Sequence, residues 1–223
     1  MNFRTLFLWL VVASSAACSV ASASVSVERR TYQIDVDGKP SGFHRMVIQE
    51  DESGQLVMTS EAEVHVQKWI IHYNYRYRGA ESWRGGRLTG LQAQSSENNR
   101  PSTVRLVEKE QVLQVNVDGK VTEVPKDVWT DTYWHLPERF KGCRTITLLE
   151  CDSGERFTCS LKLVGQEAVN CGGHIQSCSH YRLGGDRVSD IWFDCGGKLV
   201  KESHIDDGHL AVIQLKQSQI AQK

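Results

Sequence analysis

Two short clusters in this chain carry residue types that do hydrolytic or metal chemistry. Asp131 and His135 stand four apart beside Trp129, Tyr133 and Trp134, so on a helix they would share a face. A carboxylate orienting an imidazole is half of a hydrolytic triad, but no serine in a Gly-x-Ser-x-Gly setting completes it. His204, Asp206, Asp207 and His209 surround a turn and offer imidazole and carboxylate ligands to a metal ion. Asp-Gly is also ordinary turn chemistry, so the plainer expectation there is no metal. Glu81, facing the Arg76 to Arg84 region, reads as a partner in an ion pair rather than as a general acid. No catalytic residue and no cofactor are expected from these residues, and a secreted hydrolase or metal-dependent enzyme stands as the alternative to a non-enzymatic role.

The cysteines carry the next kind of chemistry. Arg4 followed by the apolar run Leu6 to Ala13 and the small residues ending at Ala21-Ser22-Ala23 reads as a secretory signal peptide over 1–23, leaving one antiparallel β domain over 24–223. Cleavage there removes Cys18 and leaves Cys143, Cys151, Cys159, Cys171, Cys178 and Cys195, an even set that in an oxidising compartment suggests three disulfides. A hairpin centred on Gly165 would set Cys159 opposite Cys171, and one turning within Gly185 to Val188 would set Cys178 near Cys195, which leaves Cys143 for Cys151. The spacings contain no close Cys-x-x-Cys pair, as structural zinc or a thiol oxidoreductase would need. Ala16-Ala17-Cys18 also resembles the end of a bacterial lipoprotein signal, which would anchor the protein to a membrane through Cys18. The expected location is therefore periplasmic or secreted, with a lipid-anchored form as the alternative.

Charge narrows the partners. The formal net charge is −1, with 26 basic against 27 acidic residues, which argues against nucleic acid or a polybasic membrane contact.

The elements that must position these residues are strands. Tyr32, Ile34 and Val36 share a face before the Asp37-Gly38 turn, and the alternation returns in Leu56 to Val66, Ile71 to Arg78, Arg87 to Gln94, Thr103 to Val107, Val112 to Val117 and Lys120 to Val124. Asp127 to Leu136 reads as a short helix or an irregular crossover. Strands then resume over Arg156 to Val164, Glu167 to Cys171, His174 to Leu183, Ser189 to Asp194, Lys198 to Ile205 and His209 to Lys216. About a dozen strands joined by tight turns predict an all-β fold, a large antiparallel meander curved into a barrel or half-barrel and stapled by disulfides in its C-terminal half. Tyr73, Tyr75 and Tyr77 fall on one face of a strand, with Trp69 and Trp83 nearby. Tyr73, Tyr75, Tyr77 and Trp83 are the candidate ligand-binding residues, for an apolar small molecule or an envelope protein. Core packing explains the same pattern, and a purely structural surface protein would show it too.

Tyr75-Arg76-Tyr77-Arg78 with Glu81-Ser82-Trp83-Arg84-Gly85-Gly86-Arg87-Leu88 resembles a family of bacterial exported proteins, domain of unknown function family 6134. The resemblance extends to Tyr32 through Gly42, which reads Tyr-x-Ile-x-Val-x-Gly-Lys-Pro-x-Gly, to Tyr181-Arg182-Leu183, to Asp190-Ile191-Trp192-Phe193-Asp194 and to Asp207-Gly208, and so covers most of the chain. It implies an extracytoplasmic antiparallel β domain and brings no established activity or functional residue. The six cysteines depart from the family pattern, which suggests local reinforcement in this chain.

Overall fold

The computed structural model describes residues 26–68, 71–142 and 145–222. The leader over 1–23 with its Cys18, Trp69 and Cys143 with its expected bridge to Cys151 lie outside the described residues.

Alternating apolar and polar residues become strands throughout. The first half is a run of hairpins: β1 (Ser26–Val36), β2 (Lys39–Glu50), β3 (Gln55–Lys68), β4 (Ile71–Arg84), β5 (Arg87–Glu97), β6 (Arg100–Glu108), β7 (Val112–Val117) and β8 (Lys120–Pro125). The second half contains β9 (Val128–Thr130), β10 (Thr145–Leu149), β11 (Arg156–Cys171), β12 (His174–Gly185), β13 (Ser189–Phe193), β14 (Leu199–Asp206) and β15 (His209–Gln222). Asp37-Gly38, Asp118-Gly119 and Asp207-Gly208 turn with both residues at positive φ (50° and 75° at the first), the pair of angles that suits a right-twisted two-residue hairpin and that Asp-Gly tolerates.

All fifteen strands form one sheet in the order β8-β7-β6-β5-β4-β3-β2-β1-β15-β14-β13-β12-β11-β10-β9. Because β1 pairs with β15, the meander joins its first and last strands, and among the described residues only β9 and β10 lie parallel. The sheet coils into a nearly closed barrel whose free edges are β8 and β9. The turn after β10 bridges the gap: the hydroxyls of Ser95 and Ser102 donate to the Asp152 carbonyl at 3.4 and 3.2 Å. Gly154 in that turn lies so close to β7 that a Cβ would sit 2.5 Å from Val117 Cγ2.

The interior is a packed core. Tyr32, Met46, Met58, Trp129, Leu148 and Phe193 are fully buried, each contributing about 1.5–3 kcal/mol of burial. Trp129 packs against Tyr133, Phe140 and Phe193 with ring centroids 5.1–5.9 Å apart. The segment expected as a short helix or crossover is β9 followed by an irregular crossover, and a single 3-10 turn comes later, at Glu138–Phe140. The crossover is pinned where Arg30 Nη1 donates to the Trp134 carbonyl at 2.5 Å and Trp129 Nε1 to the His135 carbonyl at 3.0 Å.

The register separates two of the three expected cysteine pairs. Gly165 is a bulge inside β11, where the pairing slips between Leu163 and Gly165, and the hairpin turns instead at Gly172-Gly173. Cys159 therefore faces Gly185 and Cys171 faces His174. The two cysteines stand twelve residues apart on one strand, about 40 Å, far beyond the reach of an S–S bond. His180 pairs with Trp192, which aligns Cys178 with residue 194, one short of Cys195. That single step leaves Cys178 buried and Cys195 exposed. Among the described residues Cys151, Cys159, Cys171, Cys178 and Cys195 are unpaired. The far end of the β11–β12 hairpin is held by packing instead. It folds over the outside of the barrel, where Val169, Cys178, Trp192 and Val200 make a small second core with Cys171 against it.

Candidate functional site

The tyrosine rank faces inward from β4, but its members do different work. Tyr77 is 6% exposed and belongs to the core. Its ring leans over Gly79, where a Cβ would meet the hydroxyl at 2.1 Å. Tyr75 is partly buried and donates its hydroxyl to Asp152 Oδ2 at 2.7 Å. Tyr73 is partly exposed, and burial with the neighbouring Glu97, Asp206 and Asp152 raises its pKa. Trp83 lies at the other end of β4, buried, so the strand does not gather the four candidates into one site.

Glu81 makes no ion pair with the arginines of its strand. It is fully buried and points at the crossover, where Oε2 accepts from Trp83 Nε1 (2.9 Å) and Thr130 Oγ1 (3.0 Å) and Oε1 meets Thr132 Oγ1 (2.8 Å) and Cys151 Sγ (3.7 Å). Even-numbered residues of β4 face solvent, as Arg76, Arg78 and Arg84 do, while Glu81 shares the inward face of Tyr77 and Trp83. Burial raises its pKa despite these donors.

Asp131 and His135 are not brought together, because no helix forms across them. Asp131 joins Glu150 and Asp152, one oxygen from each lying within 4.8 Å of the others. The Cys151 backbone N–H donates to Asp131 at 3.0 Å, Ser153 donates to Glu150 at 2.5 Å, and Arg187 pairs with Glu150 at 2.5 Å. Burial, reinforced by the charges of Asp152 and Glu150, pushes the Asp131 carboxyl up to about 8. His135 instead lines a cleft of about 280 Å³ at the end of the barrel where β2–β3 and β4–β5 turn, with Leu56, Trp83, Trp134 and Pro137. Trp83 and Trp134 meet edge to face there, 5.8 Å between centroids. Burial, with Arg30 and Lys141 nearby, lowers the His135 pKa and keeps the ring neutral at neutral pH.

The His204 to His209 cluster does not assemble either. His204 Nδ1 turns to Glu202 (3.1 Å) and His209 Nδ1 to Asp37 (2.8 Å). Burial opposes a charged His204, but the bond to Glu202 and its charge outweigh that and raise the pKa. Sequence reasoning missed Glu150, Asp152 and Arg187, and the Leu56 to Pro137 cleft. The signal available was the pair of carboxylates flanking Cys151, whose meeting with Asp131 depends on the parallel pairing of β9 with β10.

No curated protein matches the chain. Its fold is similar to that of a crystal structure described as a beta-barrel-like protein of domain of unknown function DUF1849 from Brucella abortus, with a TM-score of 0.61 and 8% sequence identity over 88% of this chain and 98% of that one. At that identity the likeness is one of fold alone. The profile of a domain of unknown function, DUF6134, matches residues 32–216, nearly the whole described barrel, and the chain belongs to that family.

Proposed function

We propose that this is an exported, non-enzymatic binding protein that holds a small, largely apolar ligand in the cleft between Leu56, Trp83, Trp134 and Pro137. The cleft carries the reading: about 280 Å³ bounded by two tryptophans and a neutral imidazole, at an end of a barrel whose middle is solid. That volume suits one small aromatic or aliphatic molecule, with the His135 ring and Glu50 offering polar contacts. Export rests on the leader pattern of residues 1–23. Tyr77 and Tyr75 drop out of the binding set, since Tyr77 is core and the Tyr75 hydroxyl is committed to Asp152.

Titration of purified protein with an apolar fluorescent probe, following tryptophan emission, tests the reading. Saturable binding is expected in the natural chain. Leu56→Trp, which fills the cleft from its partly exposed edge, should abolish that binding while leaving the thermal midpoint within a few degrees. Absence of saturable binding, or binding indifferent to Leu56→Trp, would refute it.

A further inference from the structure

We infer that Asp131, Glu150 and Asp152 form a binding site for a hard divalent cation of the calcium type. The site is distinct from the tryptophan cleft, whose lining includes none of the three carboxylates. Three carboxylates from two segments, the crossover after β9 and the turn after β10, converge so that one oxygen of each is within 4.8 Å of the others. Oxygens that share one Ca²⁺ at about 2.3–2.6 Å cannot stand more than about 4.6–5.2 Å apart, and a spacing within 4.8 Å is compatible with that limit. The donor set is all oxygen, which favours a hard cation over zinc or copper.

The surroundings orient these carboxylates without using them up. Cys151 N–H holds Asp131, the Tyr75 hydroxyl holds Asp152, and Ser153 and Arg187 hold Glu150. Among the ion pairs of these three residues, Arg187 on Glu150 is the basic partner, so three carboxylates face one guanidinium once Asp131 gives up the proton it holds below about pH 8. A bound dication completes that balance.

A second observation points at the same place. The Tyr77 hydroxyl is buried, 6% exposed as a residue, and makes no hydrogen bond of normal geometry among the described residues, with Cys151, Glu81 and Asp131 near enough to act on it. An orphaned hydroxyl in a core costs about 1–3 kcal/mol. A water carried by the cation gives it a partner, which makes Tyr77 a positioning residue for the hydrated ion and explains why β4 has glycine at position 79 to admit the ring.

The test uses chelator-treated protein. Calcium chloride should raise the thermal midpoint, and terbium, a calcium mimic, should show luminescence sensitised by the neighbouring aromatic rings, saturable and displaced by calcium. Asp131→Asn with Asp152→Asn, which removes two charges while keeping volume, should abolish both signals. Tyr77→Phe should leave the metal-free midpoint unchanged or higher and weaken calcium about tenfold. Arg187→Gln, which removes the competing cation, should tighten it. No midpoint shift and no sensitised terbium in the natural chain overturns the inference. Signals that survive in the double variant overturn it as well, because the ion then sits elsewhere. Calcium binding indifferent to Tyr77→Phe overturns the role of the hydroxyl.

Discussion

Replacing Glu81 tests how a buried carboxyl holds the crossover against the barrel wall. Three oxygen–oxygen contacts join Glu81, Thr130 and Thr132: 3.0 Å from Thr130 to Glu81, 2.8 Å from Thr132 to Glu81, and 3.0 Å between the two threonines. Each contact needs a proton, and the two hydroxyls supply only two, so the third belongs to Glu81 itself. A neutral carboxylic acid at this position agrees with the upward shift that burial imposes. Glu81→Ala then strands Trp83 Nε1 and one threonine hydroxyl, about 1–3 kcal/mol each, and leaves a cavity, for a total of about 3–5 kcal/mol. With an m-value of about 2–3 kcal/mol/M the urea midpoint falls by about 1.5 M. Glu81→Gln keeps the shape and both donor and acceptor capacity, and should cost under about 1 kcal/mol. The pH dependence fixes the sign. A carboxyl whose folded pKa is raised stabilises the native state fully below its unfolded value and loses that contribution as pH rises through the folded value. The natural chain should therefore lose ground to Glu81→Gln as pH rises from the ordinary carboxylate range through the raised folded value. If Glu81→Gln is as damaging as Glu81→Ala at acid and at neutral pH alike, the group is an anion and the proton count is wrong.

Gly79→Ala pushes a methyl to within 2.1 Å of the Tyr77 hydroxyl and should cost about 1–3 kcal/mol by thermal or urea unfolding, with part recovered in the Gly79→Ala/Tyr77→Phe pair. Burial lowers the pKa of His44 to about 4, against an opposing pull from Glu202. Its proton therefore binds the unfolded chain first as pH falls below about 6.5, which should remove about 3 kcal/mol by pH 4, and His44→Leu should flatten that acid limb of a stability profile. Native alkylation followed by peptide mass mapping should modify exposed Cys195 first, with Cys151, Cys159 and Cys178 slow until denaturation. No peptide joining Cys159 to Cys171 should appear in protein that has never been unfolded, because one strand holds them apart.

The strands were legible because a one-sided sheet writes its faces into every second residue. Tyr32, Ile34 and Val36, or Tyr73, Tyr75 and Tyr77, keep the pattern that places them inside. The Asp-Gly hairpins were legible because their backbone angles restrict which residues fit. Gly165 was misread for a related reason. A glycine between two apolar runs marks either a turn or a bulge, and the choice depends on how the partner strand pairs, which is a property of β12 and not of the glycine. The cysteine pairing inherited that error, since a slip of a few residues in register converts facing thiols into distant ones.

The candidate site residues were hidden by a different cause, the change of direction between β8 and β10. Up to β8 each strand pairs with the next by a short turn, so neighbours in sequence are neighbours in space. At β9 the chain leaves the meander, threads Trp129 into the core and returns parallel to β10, and this one departure carries Asp131 to Glu150 and Asp152 and carries His135 to Trp83. Local spacing sees Asp131 and His135 as a pair four apart, whereas the crossover gives them to separate sites. The departure is itself costly in polar terms, with Thr130 and Thr132 buried beside an acidic side chain and Tyr133 held at a φ of 44°. A segment held that tightly by Arg30, Glu81 and Trp129, where a plain ninth hairpin would complete the same core, is where the barrel concentrates its chemistry.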